Sequence, residues 1–346
     1  MEEFVKCLVW DLDNTIWKGT LLEKDECSLR PGIIKILNTL DSRGILHSIA
    51  SANDQDTGLA QLKKLGIADY FLCPQIQWSN KILSLQKISK QLKISLGSLG
   101  FIDDEPFELE QVRQILPWVR TYPTSAYRSL LGRPEFNPPF LTKESRLRRR
   151  MYVQESQKDG AYQKAGGSFK EFLKFCQTQI LLRPARKSDL PRILELMHRT
   201  HQLNATGEVC EAKDITAALE DPRFRVYVSE LKDHFQDYGR VGVAICRVYR
   251  DRWRLDCFLM SCRILGRGLG GIFLGWLQHE ALKSGVGIFE ARYRERERNR
   301  RMYMLFRLTG FGIIRSSKNG TLLLSKTCGN SLKVPPWLTL REEGRR

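Results

Sequence analysis

The amino-acid sequence predicts an α/β protein of two domains: a parallel sheet wound with helices over residues 1–125, and a second α/β domain over 179–335. Three observations carry this expectation. Short apolar runs alternate with helix-period segments through the first third of the chain. The runs there give way to polar clusters, Asp11 and Asp13, Ser51 and Asn53, Lys81, then Asp103 and Asp104. Beyond a Gly/Pro-rich stretch at 132–139, the pattern changes to successive strands followed by helix, strand and helix.

Residues 7–10 (CLVW) read as a buried strand that stops at Asp11-Leu12-Asp13-Asn14-Thr15. Two carboxylates one residue apart at such a strand end are costly unless a cation or a reaction needs them. Residues i and i+2 of a strand point the same way. Asp11 and Asp13 should therefore converge just past the strand, at the edge where open α/β sheets hold ligands. A lone DxD fits a capped turn as well; the clusters downstream decide against that reading. Residues 31–43 carry Ile33, Ile34, Leu37 and Leu40 at helical spacing, with Pro31 in the first turn and Gly44 as the stop. A strand over 45–50 runs into Ser51-Ala52-Asn53-Asp54, and a helix over 58–65 closes at Gly66. Residues 70–73 (YFLC) form a short strand before Pro74, and 80–92 a helix. The run 99–102 (LGFI) is a strand stopped by Asp103-Asp104-Glu105; a helix over 107–116 and a strand over 119–122 follow. This alternation predicts right-handed crossovers and a parallel sheet with all four clusters on its carboxyl edge.

Residues 126–178 are expected to be a basic helical linker, with helices over 144–158 and 168–177. A strand over 180–183 and a helix over 188–199, capped by Ser188, open the second domain. Strands over 226–231, 242–250 and 253–260 read as an antiparallel meander. A helix over 269–284, a strand over 287–293 and a helix over 300–309 ending at Gly310 complete it.

The 346 residues allow about two domains, and 42% hydrophobic content excludes a disordered or fibrous chain. No apolar run approaches the ~20 residues that cross a bilayer, and no charged-then-apolar signal opens the chain. A soluble, cytoplasmic protein with no membrane partner is expected. Nine cysteines without a CxxC pair fit reduced thiols. Fifty-six basic against 39 acidic residues give a net charge of +17, which favours polyanionic partners. Of the basic runs, 146–150 (RLRRR) and 292–301 (RYRERERNRR), the second alternates Arg with Glu as a solvated face does. No zinc knuckle, RNA-recognition aromatic motif or helix-turn-helix signature accompanies the charge. Nucleic acid is therefore not the expected partner; an acidic carrier protein or a phosphorylated metabolite suits the same field.

The four clusters suit phosphoryl transfer: a carboxylate nucleophile, a second carboxylate as acid/base, Mg²⁺ to neutralise charge, and a hydroxyl and an ammonium to hold phosphate oxygens. Asp11-x-Asp13-x-Thr15, Ser51, Lys81 and Asp103-Asp104, in that order, resemble the motifs of the haloacid dehalogenase-like superfamily. The resemblance implies Asp11 as nucleophile and Asp13 as acid/base. It places Asp11, Asp13 (through its carbonyl) and Asp103 around Mg²⁺, and Ser51, Asn53 and Lys81 on the phosphate. The spacings from Asp13 to Ser51 and from Lys81 to Asp103 leave no room for a cap domain, and an open site suits a bulky substrate.

In the second domain, Ser261-Cys262-Arg263-Ile264-Leu265-Gly266-Arg267-Gly268 lies between a strand and a helix. Glycines there let backbone N–H groups at a helix N-terminus face a phosphate. With Asn299 and Leu308-Thr309-Gly310-Phe311, this turn resembles the acetyltransferase fold, which implies Arg263, Gly266 and Gly268 on a pantetheine arm. WDLDNTIWKG, PQIQW with Lys81, FIDDEPFE, RTHQLNATG and SCRILGRG together resemble the FkbH-like family over nearly the whole chain. That family is associated with polyketide assembly. The resemblance implies capture of the phosphoglyceryl group of the acyl phosphate 1,3-bisphosphoglycerate, its dephosphorylation, and loading of glyceryl onto an acyl carrier protein. A cysteine thioester is implied as well. Cys262, beside Arg263 at a helix N-terminus that favours a thiolate, is the candidate, and Cys73 its rival. His201 is a candidate base. Two other readings are a capless phosphatase with a non-catalytic second domain, and a non-enzymatic binding module.

Overall fold

In a computed structural model, residues 4–23, 26–165, 168–264, 267–329 and 332–343 are described. Contacts divide the chain into two compact units, Met1–Gln157 and Lys158–Arg346.

The first unit starts with β1 (Cys7–Trp10) and a hairpin of β2 (Trp17–Lys18) and β3 (Ser28–Leu29). Then come α1 (Ile33–Ser42), β4 (Leu46–Ser51), α2 (Gln55–Lys64), β5 (Gln75–Ile76), α3 (Lys81–Leu92), β6 (Leu99–Asp103), α4 (Pro106–Ile115) and β7 (Arg120–Pro123). The strands β5-β4-β1-β6-β7 form one parallel sheet, as the alternating pattern predicts. All four residues of β1 are fully buried because both sheet faces are covered. Leu8 and Trp10 point into a core with Ile33, Ile36 and Leu37 of α1, while Cys7 and Val9 meet Ile82, Leu85, Leu109 and Val112 of α3 and α4.

Two local readings need correction. The strand expected at 70–73 is displaced to β5, because Cys73 adopts φ +50 and breaks the extended chain; Phe71 keeps only an isolated bridge to His47. The first helix starts at Ile33 rather than Pro31, after Gly32 in the left-handed region. Within the stretch 126–178, Tyr127, Leu130 and Phe136 lie in 3-10 turns and are buried in the first unit's core. The helices α5 (Lys143–Arg146) and α6 (Arg148–Ala165) follow, and α6 runs across the division between the units.

The second unit continues with α7 (Phe169–Phe175), β8 (Thr178–Pro184), α8 (Leu190–Arg199), α9 (Ala212–Glu220), β9 (Phe224–Lys232), β10 (Asp237–Val248) and β11 (Arg252–Met260). It closes with α10 (Leu269–Lys283), β12 (Ile288–Arg294), α11 (Arg300–Leu308), β13 (Gly312–Ser316), β14 (Thr321–Thr327) and β15 (Leu338–Glu342). Its eight strands form one mixed sheet in the order β13-β14-β12-β11-β10-β9-β8-β15. The meander β9-β10-β11 is antiparallel, and β11 pairs β12 in parallel. Ser188 does not cap α8; it lies inside a 3-10 turn, and Asp189 accepts the Arg186 N–H at 2.7 Å instead. No helix among the described residues is long and apolar enough to cross a membrane.

Candidate active site

Register builds the first site. Trp10 lies across from Ile49 and Ile102, so Asp11 comes level with Ala50 and Asp103 at the carboxyl edge, its N–H donating to the Ile102 carbonyl at 3.0 Å. Lys81 opens α3 with Asn80 as its cap. Its Nζ donates to Asp11 Oδ1 at 2.5 Å and to the Ala50 carbonyl at 3.0 Å. Asp103 Oδ2 is ion-paired with the same ammonium at 3.0 Å. Asp103 Oδ1 accepts the Glu105 N–H at 3.0 Å, and Thr15 Oγ1 donates to Asp104 Oδ1 at 3.2 Å.

Asp11, Asp103 and Asp104 each bring a carboxylate oxygen within 4.8 Å of the others. One ammonium therefore faces three carboxylates. Burial pushes Asp11 up to about 7; Lys81 opposes this, while Asp103 and Asp104 add to it. Burial alone would lower Lys81, but Asp11 and Asp103 hold it above its ordinary value. Three clustered carboxylates facing one ammonium suit a hard divalent cation such as Mg²⁺.

Asp13 does not join this trio. The strand ends at Trp10, and the chain coils so that the Leu12 carbonyl accepts from Thr15, Ile16 and Trp17. Residues 11–13 thus lie in a turn rather than in the strand, and the two-residue strand period does not govern where Asp13 points. Asp13 Oδ1 instead accepts from Trp17 Nε1 (2.8 Å) and the Leu21 N–H (3.3 Å). Its Oδ2 accepts from Asn53 Nδ2 (3.0 Å), which lies 3.3 Å from Ser51 Oγ. Ser51, Asn53 and Lys81, expected on the phosphate, are buried on the same edge as Asp11. Asp104 adds a third carboxylate oxygen to the cluster with Asp11 and Asp103, a position the sequence reading did not place on the metal.

In the second unit, β11 and β12 pair only over four positions, from Arg252 with Ile288 to Leu255 with Ala291. Beyond them residues 203–205 fill the gap. Ala205 N–H donates to the Phe258 carbonyl (2.9 Å), Met260 N–H to Leu203 (2.8 Å) and Arg294 N–H to Ala205 (3.0 Å). Asn299 fastens this insert, its Nδ2 donating to the Asn204 carbonyl at 3.0 Å. The antiparallel bridge pairs Asn204 with Leu259.

Cys262 is half-buried in a 3-10 turn. Gly268, φ +68, precedes the first residue of α10, with open space where a Cβ would stand. Gly266 lies outside the described residues. Arg263 is committed locally, donating to Ser261 Oγ (3.4 Å) and the Tyr238 carbonyl (3.2 Å), so its guanidinium is not simply aimed at a ligand. The rival Cys73 packs on the first unit's core, and burial raises its thiol, which disfavours the nucleophilic form.

No family model and no curated protein matches the chain. Among solved structures, it is similar to the N-terminal part of the protein BF1531 from Bacteroides fragilis, containing a phosphatase domain complexed with Mg. The identity is 27% over 39% of this chain, with a TM-score of 0.34, and the chain spans 40% of that structure's length. It is also similar to the ribosomal-protein-S18-alanine N-acetyltransferase from Escherichia coli (18% identity, 45% of this chain, 99% of that one, TM-score 0.35). The paia N-acetyltransferase from Thermoplasma acidophilum, in complex with coenzyme A, is 12% identical over 43% of this chain and 98% of its own, with a TM-score of 0.35. The fold class stands on topology: a parallel α/β sheet in the first unit and a mixed α/β sheet in the second.

Proposed function

We propose that the chain is an Mg²⁺-dependent glyceryltransferase and phosphatase of the FkbH-like kind, serving an acyl carrier protein in polyketide assembly. The observation that carries the reading is the Asp11, Asp103 and Asp104 cluster with Lys81 at the parallel sheet's carboxyl edge. Held by Asp11, Asp103 and Asp104, Mg²⁺ would neutralise phosphate charge. Asp11 attacks phosphorus; the ester P–O bond breaks, and its electron pair leaves on the glyceryl oxygen, which takes a proton from Asp13. Water then attacks the aspartyl-phosphate phosphorus, giving its proton to Asp13 and releasing the Asp11 carboxylate. Lys81, Ser51 and Asn53 hold the phosphate oxygens.

For acyl capture, His201 takes the Cys262 thiol proton, and the sulfur attacks the acyl carbon of 1,3-bisphosphoglycerate. The C–O bond breaks and phosphate leaves with the electron pair. The carrier's pantetheine thiol then attacks the thioester, and Cys262 leaves as a thiolate. The step rests on the SCR and RTHQLN motifs that carry Cys262 and His201. Purified protein, Mg²⁺, 1,3-bisphosphoglycerate and a holo carrier protein should yield a glyceryl mass on the pantetheine arm. Asp11→Asn should leave a phosphoglyceryl adduct, and Cys262→Ala should abolish loading. An unmodified carrier, with phosphate release intact, would sink the transferase.

One observation favours a second reading, a capless phosphatase with a non-catalytic second unit: residues 203–205 close the gap between β11 and β12. That reading predicts turnover of generic phosphate esters that is indifferent to Cys262.

A further inference from the structure

The helix α11 carries an outward stripe, Arg300, Met304 and Leu308, at four-residue spacing. Leu308 is 81% exposed and Met304 46%. With Glu297, Arg298 and Arg301 they line a hollow of about 570 Å³ whose floor includes Leu305. Three arginines oppose one glutamate there, and among the described residues neither Arg300 nor Arg301 forms a salt bridge. An apolar centre with a basic rim is the composition of a docking patch for an acidic protein. Nucleic acid fits less well: no lining side chain is aromatic, so bases have nothing to stack on, and phosphates gain nothing from Leu308 or Met304.

The hollow also borders the start of α10. A Cβ added at Gly270 would meet Leu305 at 2.9 Å, and one at Gly271 would meet Thr309 Cγ2 at 3.6 Å. We infer that this face of α11 docks the acidic surface of the acyl carrier protein, presenting its pantetheine arm at the Gly268 turn. The inference rests on the transferase reading above and adds where the partner sits.

The probe is a purified, acidic holo acyl carrier protein, its binding to the full chain followed by fluorescence anisotropy. Affinity should fall about tenfold between roughly 20 and 200 mM salt. The double variant Arg300→Glu, Arg301→Glu should weaken binding about tenfold or more, and Leu308→Ser about fivefold, without altered melting. Transfer of glyceryl to free pantetheine should be unchanged in both variants, because neither touches the reacting atoms. Carrier binding that ignores both variants overturns the docking site, even where glyceryl transfer by the native chain upholds the activity. Failure of transfer to carrier and to free pantetheine alike overturns the activity, and binding still reports on the docking site. A single-stranded oligonucleotide that binds this face more tightly than the carrier, and is weakened by the same charge reversals, assigns it to nucleic acid and overturns the inference.

Discussion

Replacing Lys81 by Met keeps the side-chain stem and removes the ammonium that lies within 3.0 Å of both Asp11 and Asp103. Those carboxylate side chains are 9% and 2% exposed, so water cannot take over the ammonium's role. Removing one partner of a buried ion pair costs about 3–5 kcal/mol. The lost hydrogen bond to the Ala50 carbonyl adds about 1 kcal/mol. Protonation of Asp11, already pushed up to about 7 with Lys81 in place, offsets part of this. The net loss is about 3–4 kcal/mol, a fall of roughly 10 °C in the first unit's melting temperature at ~2–4 °C per kcal/mol. Scanning calorimetry of the full chain should show that fall without Mg²⁺. Added Mg²⁺ should raise the variant's transition more than the native one, since it would then be the main positive charge at the cluster. A variant that melts within about 2 °C of the native protein, or an equal gain from Mg²⁺ in both, refutes the charge-deficit reasoning.

Two further perturbations follow from buried hydrogen bonds. His47 is fully buried, with Nδ1 accepting from Trp10 Nε1 at 3.1 Å and Nε2 facing the Leu37 carbonyl at 3.2 Å; burial pushes it down to about 4 from 6.5. The unfolded chain therefore binds a proton first, and about 3 kcal/mol of stability present above pH 6.5 is lost as the pH falls to about 4. His47→Gln should remove that component, which urea unfolding of both proteins across this range will measure. Asn299 Nδ2 donates to the Asn204, Ala205 and Arg294 carbonyls, and its Oδ1 accepts from Tyr293 OH and the Arg296 N–H. Asn299→Ala should cost about 2–3 kcal/mol and speed hydrogen exchange at Ala205, Met260 and Arg294, the amides that hold the insert.

The parallel sheet and its polar edge were legible because the central strands β1, β4 and β6 are short buried runs that each end in a polar signal. What tertiary pairing decides was not. The helix α9 buries only Ile215 and Ala218, too little apolar periodicity to declare itself. Every residue of β13 is exposed, so no alternation marks it, and β15 owes its form to pairing with distant β8. Placement of residues 203–205 between β11 and β12 is equally non-local; nothing in LNAT alone signals a strand partner. The setting of the Asp13 side chain is local: the turn after Trp10 directs it to Trp17 and Asn53, which strand periodicity does not describe.

Buried carboxylates elsewhere in the chain show why the first cluster stands out. Asp189 is fully buried, yet Arg183 (2.7 and 3.0 Å), Arg240 (2.5 Å) and the Arg186 N–H surround it. Burial pushes its carboxyl up, but these partners outweigh burial and hold it below the ordinary range. Asp233 is similar: Lys158, Arg267 and the Tyr238 hydroxyl converge on it, and it too is held down against burial. Asp233 faces two cations alone, and the Asp189 network sets Arg183 and Arg240 against Asp189 and Glu230, so each has at least one cation per carboxylate. Asp11 is buried to a similar degree but shares one ammonium with Asp103 beside Asp104, and its carboxyl moves the other way. A fold that neutralises Asp189 and Asp233 so fully has the means to do the same at β1. Leaving that edge short of positive charge keeps it competent for a cation and for a nucleophile, at a cost in stability that the Lys81 variant would make larger.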